Sequence, residues 1–380
     1  MVRSTVAHVD LAALKANYHA IEALLAARIP PSQKPPGIIA VVKANAYGHG
    51  SRHVALALEE AGAATLACAD IEEGVALRQA GVKGRILVFG ALSVSDLSGL
   101  FEFDLTPTCS TPAAGRALQA AAAARGRRLE YHLKIDTGLN RLGFRHDNVG
   151  RTLPELFTSP NLALGAVCTH FATADDLAHP LFEEQRRRFD EVLARIAAMG
   201  VRVPARHAAN SAALLRDPRV WFDAVRPGIV LYGVAPPAFA GALPLRPVLS
   251  LRSRIVSVKH VRAGEGVGYG ATFSPATPRV VATVPAGYAD GLDTRLGGRG
   301  QVLVGGRRAP IVGAVSMDML AVDVTGMPVN PGDEVVFLGE QGGDRITVSE
   351  MAVAIGTIPY EILCRIGTRI ERVYDGVARS

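Results

Sequence analysis

Hydrophobic and polar positions along this chain follow two different periods, and the switch between them divides it. Leu11, Leu14, Tyr18 and Ile21 recur at helical spacing behind Asp10, a plausible N-cap, and predict an opening helix. Short apolar runs follow: "GIIAVVK" from Gly37, "ATLACA" from Ala64, "RILVFG" from Arg85, "DLTPTC" from Asp104, "EYHLKID" from Glu130, "LGAVCTHFA" from Leu164, "ARHAAN" from Ala205 and "WFDAVR" from Trp221. Most are separated by helical patterns such as "SRHVALALEEAG" and "LFEEQRRRFDEVLARIAAMG". Strand and helix in alternation predict parallel strands with crossover helices, and eight such units in about 240 residues match a closed (β/α)8 TIM-like barrel. An open doubly wound sheet is the alternative.

Near Pro236 and Pro237 the texture changes, and "APPAFAGALPLRP" reads as a linker. Beyond it, "LSLRSRIVSVKHV", "RVVATVPAGY", "APIVGAVSMDMLAVDV" and "DEVVFLG" are valine-rich, often alternating, and separated by glycine turns. They predict a mostly β second domain in which only "TVSEMAVAIG" and "TIPYEILCRIG" are helical. The expected domains are 1–240, an α/β barrel, and 241–380.

Composition narrows the class. With 380 residues, 49% of them hydrophobic and 20% charged, the chain is an ordinary globular protein with room for two cores. Net charge is +6, yet the densest basic run, Arg186 to Arg188, sits in a helical pattern with Glu183, Glu184, Asp190 and Glu191 and no interleaved aromatics. This predicts a solvated helix face and no nucleic-acid partner. The start "MVRSTVAHVDLAALK" lacks a signal peptide's apolar core, and no uncharged run is long enough to span a membrane, so a cytoplasmic protein without membrane association is expected. Cys68, Cys109, Cys168 and Cys364 form no C-x-x-C pair and are expected to be buried thiols, with no metal site.

Barrels gather chemistry at the C-terminal ends of their strands. Falling there are Lys43 after the first run, Lys134, Asp136 and Arg141 after the fifth, His170 after the sixth, Asn210 and Ser211 after the seventh, and Arg226 with Gly228 after the eighth. An amine delivered from an apolar strand is partly desolvated, which suits it to Schiff-base chemistry. Pro227 sets a turn in which Gly228 and Ile229 offer backbone N–H groups to a phosphate, and Ser211 can cap a short helix and serve the same phosphate. Taken singly, each is weak: a rim lysine, a capping serine and an Arg-Pro-Gly turn usually have structural roles. Together, amine and phosphate cradle suggest pyridoxal phosphate.

With "AVVKANAYGHG", "KIDTGLNRLGF", "THFATADD", "HAANSAA", "VRPGIVLYG", "VGYGATF", "GYADGL", "SMDML" and "IPYE" all in family order, the chain resembles the alanine racemases over nearly its whole length. The resemblance implies interconversion of L- and D-alanine with pyridoxal 5′-phosphate, supplying D-alanine for peptidoglycan. It makes Lys43 the lysine that holds the cofactor and one catalytic base, and Tyr47, Ser211, Gly228, Ile229 and Tyr360 the phosphate ligands, with Asn210 beside them. Arg226 would face the pyridine nitrogen with His170 supporting it, and Arg141 and Met317 would serve the substrate or the cofactor's phenolic oxygen. Tyr269 would be the second base, reaching the lysine of another subunit, which implies a homodimer with shared sites. Lys134 matches a lysine carbamylated in some members, while pairing with Asp136 is the plain alternative. Ser316 stands where many members have cysteine and Ala314 where some have arginine, which bears on the polarity of the substrate path.

Two other readings compete. The pattern G-x-G-x-x-A from Gly266 to Ala271 suggests a dinucleotide site, but "TFSPATP" follows it where a helix is required. A related amino-acid decarboxylase would share the barrel and the lysine but would not need Tyr269.

Overall fold

The computed structural model describes residues 4–92 and 96–375. The expected domain ends at 1–3 and 376–380 lie outside the described residues.

Eight parallel strands form the barrel, β2 (Gly37–Val41), β3 (Thr65–Cys68), β4 (Arg85–Val88), β5 (Leu105–Cys109), β6 (Leu129–Asp136), β8 (Leu162–Cys168), β9 (Arg206–His207) and β10 (Ala224–Val225). A two-residue strand, β7 (Phe144–Arg145), hangs on the end of β6, and β1 (Val6–Asp10) lies elsewhere. Hydrogen bonding runs in the order β5-β4-β3-β2-β10-β9-β8-β6, and β6 returns to β5 through Thr108↔His132 and Cys109↔Leu133. That last pairing closes the sheet and removes the open doubly wound alternative. Each of the eight apolar runs supplies one barrel strand.

The period of two explains how β6 serves two layers. Tyr131, Leu133 and Ile135 are buried, and Thr137 on the same face meets Gln185 of the helix Leu181–Ala198 at 3.2 Å. Full burial of such side chains stabilises by about 1.5–3 kcal/mol each. The alternate residues His132, Lys134 and Asp136 belong to the other face, where His132 meets His207 of β9. The outer helix Leu181–Ala198 buries Phe182, Gln185, Phe189, Val192 and Ile196 at helical spacing. Its Arg186, Arg187 and Arg188 pair with Glu183, Asp190, Glu191 and Glu184 on the exposed face, so the basic run is neutralised within its own helix.

The described residues fall into two compact units, one within 15–46 and 51–245, the other formed by 4–14, 47–50 and 246–375. The second unit carries a ten-stranded sheet built around β11 (Leu249–Arg254), β12 (Ser257–Val261), β13 (Arg279–Val284), β14 (Gln301–Val304), β15 (Arg307–Val312), β16 (Leu320–Asp323), β17 (Glu334–Gln341), β18 (Asp344–Ile346) and β19 (Glu371–Asp375). Strand β1 joins this sheet, antiparallel to β11 and parallel to β19. The first strand of the chain thus completes the fold of its last third. The expected helices form at Val348–Ile355, capped by the Thr347 side chain, and at Pro359–Arg365. Asp10 caps the opening helix Leu11–Ala27 by accepting the Ala13 N–H at 2.8 Å. Cys68, Cys109 and Cys168 are buried, but Cys364 is exposed on the helix Pro359–Arg365, contrary to expectation, because its position faces away from the buried Ile362 and Leu363. Among the described residues no helix is long and apolar enough to cross a membrane.

Candidate active site

Strand β2 ends in buried Val41, and buried Val42 and then Lys43 follow. The chain then does something costly. Ala44, Asn45, Ala46 and Tyr47 all have positive φ, from 52° to 54°, forming a left-handed turn without a single glycine. Each such residue costs roughly 1–2 kcal/mol. The turn is held by local bonds: the Ala44 N–H donates to Glu73 Oε1 at 2.6 Å, the Ala46 N–H to the Val42 carbonyl at 2.9 Å, and the Ser51 N–H to Asn45 Oδ1 at 2.8 Å. Strain of this kind collects at functional sites, where the backbone must aim a side chain.

Around the same rim, Arg226 is the best anchored group. It is 5% exposed, and its NH2 donates to the carbonyls of Thr169 at 2.7 Å and Ala208 at 2.9 Å and approaches His170 Nδ1 at 3.2 Å. Its NH1 donates to His207 Nδ1 at 2.8 Å. Its Nε–H has no acceptor among the described residues. Burial lowers the Arg226 pKa from its ordinary value. His170 is held well below the usual histidine range by burial first, then by the charges of Lys134, Arg226, Arg141 and Lys43. Four cationic groups from three strand ends therefore converge on one imidazole.

Lys134 makes no hydrogen bond or ion pair among the described residues. Burial, the largest cause, with the charges of Arg226 and Arg141 opposing those of Cys168 and Asp136, brings its pKa down to about 8. The plain alternative, a Lys134–Asp136 pair, does not form. Asp136 Oδ1 instead accepts the N–H groups of Gly138 at 2.9 Å and Asn140 at 3.1 Å, shaping the loop that carries exposed Arg141. Arg141 likewise has no ion-pair partner among the described residues.

After β9, the cap of the helix Ser211–Arg216 is Asn210, whose Oδ1 accepts the Ala213 N–H at 2.9 Å. Ser211 was expected to be that cap. It is the first helical residue instead, and its Oγ accepts the Gly228 N–H at 2.9 Å, because Asn210 already holds the extended backbone a cap requires. Ser211, Gly228 and Ile229 thus share one corner of the barrel rim. The barrel residues fit a phosphate-bearing ring cofactor with an electrophilic carbon: an amine at a strand end, an unpaired guanidinium donor, and a hydroxyl and backbone corner under a positive field.

In the second unit, Tyr47 is buried and meets Tyr360 with ring centroids 6.0 Å apart. Burial, with Tyr360 and Cys364 nearby, pushes the Tyr47 phenol well up. Gly48 follows because nothing larger fits: its φ is +80°, and a Cβ there would lie 2.0 Å from the Leu363 carbonyl oxygen. Tyr269 sits on the turn Tyr269–Ala271, between Gly268 and Gly270 with φ of 73° and 70°, and is 78% exposed. Met317 is also exposed. The pattern from Gly266 to Ala271 forms this turn and no helix, so the dinucleotide reading fails.

Comparison with known proteins decides the family. Residues 9–236 match the model described as "Alanine racemase, N-terminal domain" and residues 248–374 that of the C-terminal domain. The chain belongs to the alanine racemase family. An alanine racemase of Symbiobacterium thermophilum is 42% identical over 377 residues, covering 99% of this chain and 98% of the relative. The crystal structure of alanine racemase from D-cycloserine-producing Streptomyces lavendulae aligns with a TM-score of 0.93 at 38% identity, over 100% of this chain and 98% of that one. That of Bacillus anthracis, solved with bound L-Ala-P, aligns at 0.90 and 37% identity, over 98% of this chain and 95% of that one. As a member of the alanine racemase family the protein is an enzyme, an amino-acid racemase.

Three residues at this alanine racemase site escaped sequence reasoning. His207 is a shorter partner of Arg226 than the expected His170, and His132 follows it. Gln185 clamps the rim loop after β8, donating to the His170 carbonyl at 2.9 Å and accepting the Ala172 N–H at 2.8 Å. A signal for His132 existed: it lies two residues before Lys134 and so shares its face of β6. At Ser316, the hydroxyl donates to the Met319 carbonyl at 2.6 Å, a bond local to its own turn.

Three buried imidazoles also make the barrel acid-sensitive. Burial holds His132 down to about 3 and His170 and His207 well below their ordinary value. Below pH 6.5 the unfolded chain therefore binds protons that the folded chain does not, so this stability is present above that pH and is lost as pH falls toward the folded values. For His132 alone the expected loss is about 2 kcal/mol from pH 7 to pH 5, and His170 and His207 add to it in the same direction. Urea midpoints followed by circular dichroism should drop steeply over that interval; equal midpoints at the two pH values would contradict the neutral buried histidines.

Proposed function

We propose that the protein interconverts L- and D-alanine with pyridoxal 5′-phosphate, by a two-base proton exchange at Cα in which Lys43 serves one face and Tyr269 the other. The observation that carries this reading is the buried Arg226, whose two terminal nitrogens are tied to protein acceptors while Nε–H has none. When bound, the cofactor supplies a carbonyl that condenses with amines and a conjugated ring that withdraws electron density from Cα. Arg226 keeps its proton, so it offers the ring nitrogen a hydrogen bond without protonating it. Weak electron withdrawal of this kind favours return of the proton to Cα over transamination. His170 and His207 hold the guanidinium in place.

Ser211, Gly228 and Ile229 are assigned to the phosphate, with Asn210 fixing their helix and Tyr47 and Tyr360 as further ligands by the resemblance. Lys43 takes or returns a proton on the face it reaches. Arg141, without an ion-pair partner of its own, binds the substrate carboxylate, and Met317 lines the substrate side. Racemisation needs acid and base on opposite faces of Cα, which one lysine cannot supply efficiently. The exposure of Tyr269, Met317, Tyr288 and Met319 supports a homodimer in which the second base comes from the other copy. A cytoplasmic enzyme supplying D-alanine for peptidoglycan is the corresponding role.

L-Alanine incubated with the enzyme in deuterium oxide should lose optical rotation, with deuterium entering Cα of both enantiomers. Release of carbon dioxide without racemisation would transfer the assignment to an amino-acid decarboxylase.

A further inference from the structure

Below Arg226 a chain of donors runs to the opposite end of the barrel. Arg226 NH1 meets His207 Nδ1 at 2.8 Å, and His207 Nε2 meets His132 Nδ1 at 2.9 Å. Arginine has donors only, so His207 Nδ1 accepts and the ring hydrogen sits on Nε2. That hydrogen is given to His132 Nδ1, so His132 in turn carries its own hydrogen on Nε2. Each link has one allowed direction. The last donor, His132 Nε2–H, has no acceptor among the described residues, although His132 is 5% exposed.

His132 and His207 both line a cavity of ≈ 530 Å³ at the N-terminal ends of β2, β4 and β10. Leu25, Pro36 and Ile39 give it apolar wall, and exposed Arg85 and Lys34 bring positive charge. Arg85 pairs with Glu130, while Lys34 has no ion pair among the described residues. Glu22, the one carboxylate in the lining, bonds to His19 at 2.8 Å. Burial first, then the charges of Arg85 and Arg226, keep His132 neutral, and the same charges favour an anion beside it.

We infer that this cavity at the barrel floor is a second ligand site, taking a small carboxylate whose oxygen accepts from His132 Nε2–H and whose apolar body lies on the wall. Occupation also polarises the chain and strengthens the hold of His207 on Arg226. That coupling rests on the reading of Arg226 as the ring-nitrogen partner; the binding itself does not.

The test uses protein labelled with 15N-histidine, titrated with benzoate and, as the neutral control, benzamide. The His132 imidazole signal is assigned by its loss in His132→Phe. Benzoate is expected to shift it saturably, in Lys43→Ala as well, and Arg85→Gln should weaken benzoate about two- to five-fold. Arg85 is exposed, so that variant reads the site even if His132→Phe fails to fold. Absence of a saturable shift, equal affinity for benzamide, or a shift confined to His170 at the rim each overturns the floor site. In enzyme loaded with pyridoxal phosphate, a benzoate-dependent shift of its absorbance supports the coupling, and an unmoved spectrum with benzoate bound removes it. None of these readings requires racemisation, so the site and the proposed activity fail separately.

Discussion

Lys43→Ala is expected to lower racemisation of alanine in both directions by about 10²–10⁴-fold or more. The loss has two sources in one side chain, attachment of the cofactor and proton exchange on one face of Cα. Both depend on where β2 and the left-handed turn from Ala44 to Tyr47 put the amine. Because the substitution removes an amine without adding bulk, a small amine such as methylamine added to the solution should restore part of the rate. Polarimetry on L- and D-alanine measures both effects. Activity within ten-fold of the unsubstituted enzyme, at saturating pyridoxal phosphate, would take Lys43 out of the chemistry.

Tyr269→Phe should be nearly as severe and differently shaped. It keeps the ring and removes the hydroxyl, so the proton on one face has no carrier, at a loss of about 10²–10⁴-fold. The two enantiomers are equal in free energy, so racemisation must fall by the same factor from either side. The asymmetry appears instead in isotope exchange: in deuterium oxide the enantiomer served by Lys43 should still exchange its Cα proton with retention, while the other hardly exchanges. Equal exchange of both enantiomers would remove Tyr269 from its role.

The pair also tests the assembly. If each site takes Lys43 from one copy and Tyr269 from the other, mixed dimers of Lys43→Ala and Tyr269→Phe hold one intact site and one doubly altered site. Random mixing of the two inactive variants should then recover about a quarter of the normal activity. A mixture as inactive as its components, in a preparation proven to exchange subunits, would place both bases in one chain.

The barrel was legible because its strands are buried on both faces and so read as continuous apolar runs, bounded by amphipathic helices of a different period. Even "DLTPTC", a run broken by threonines and a proline, became β5, where pairing with β6 closes the sheet. Strand β1 was not legible: its partners are Leu249–Arg254 and Glu371–Asp375, more than 200 residues away, and nothing local to Val6–Asp10 names them. The Asn210 cap was missed because Asn and Ser are both good caps and stand side by side. The exposed Cys364 was missed because a single cysteine in a helical pattern does not reveal which face is covered.

What the sequence by itself determined is the chemistry at the strand ends: a lysine after the first apolar run, an arginine after the last, and a tyrosine in a glycine-rich segment of the second domain. These are one-dimensional facts, set by where periodic segments stop. Only the tertiary structure decided how those groups are held. Arg226 meets His207, 19 residues back, and His207 meets His132 a further 75 residues back, and a hydrogen-bond chain of that kind exists only once the barrel has closed. Closure fixes the tautomers, leaves Nε–H of Arg226 for one end of the barrel and Nε2–H of His132 for the other, and so gives direction to residues whose identities alone carry none.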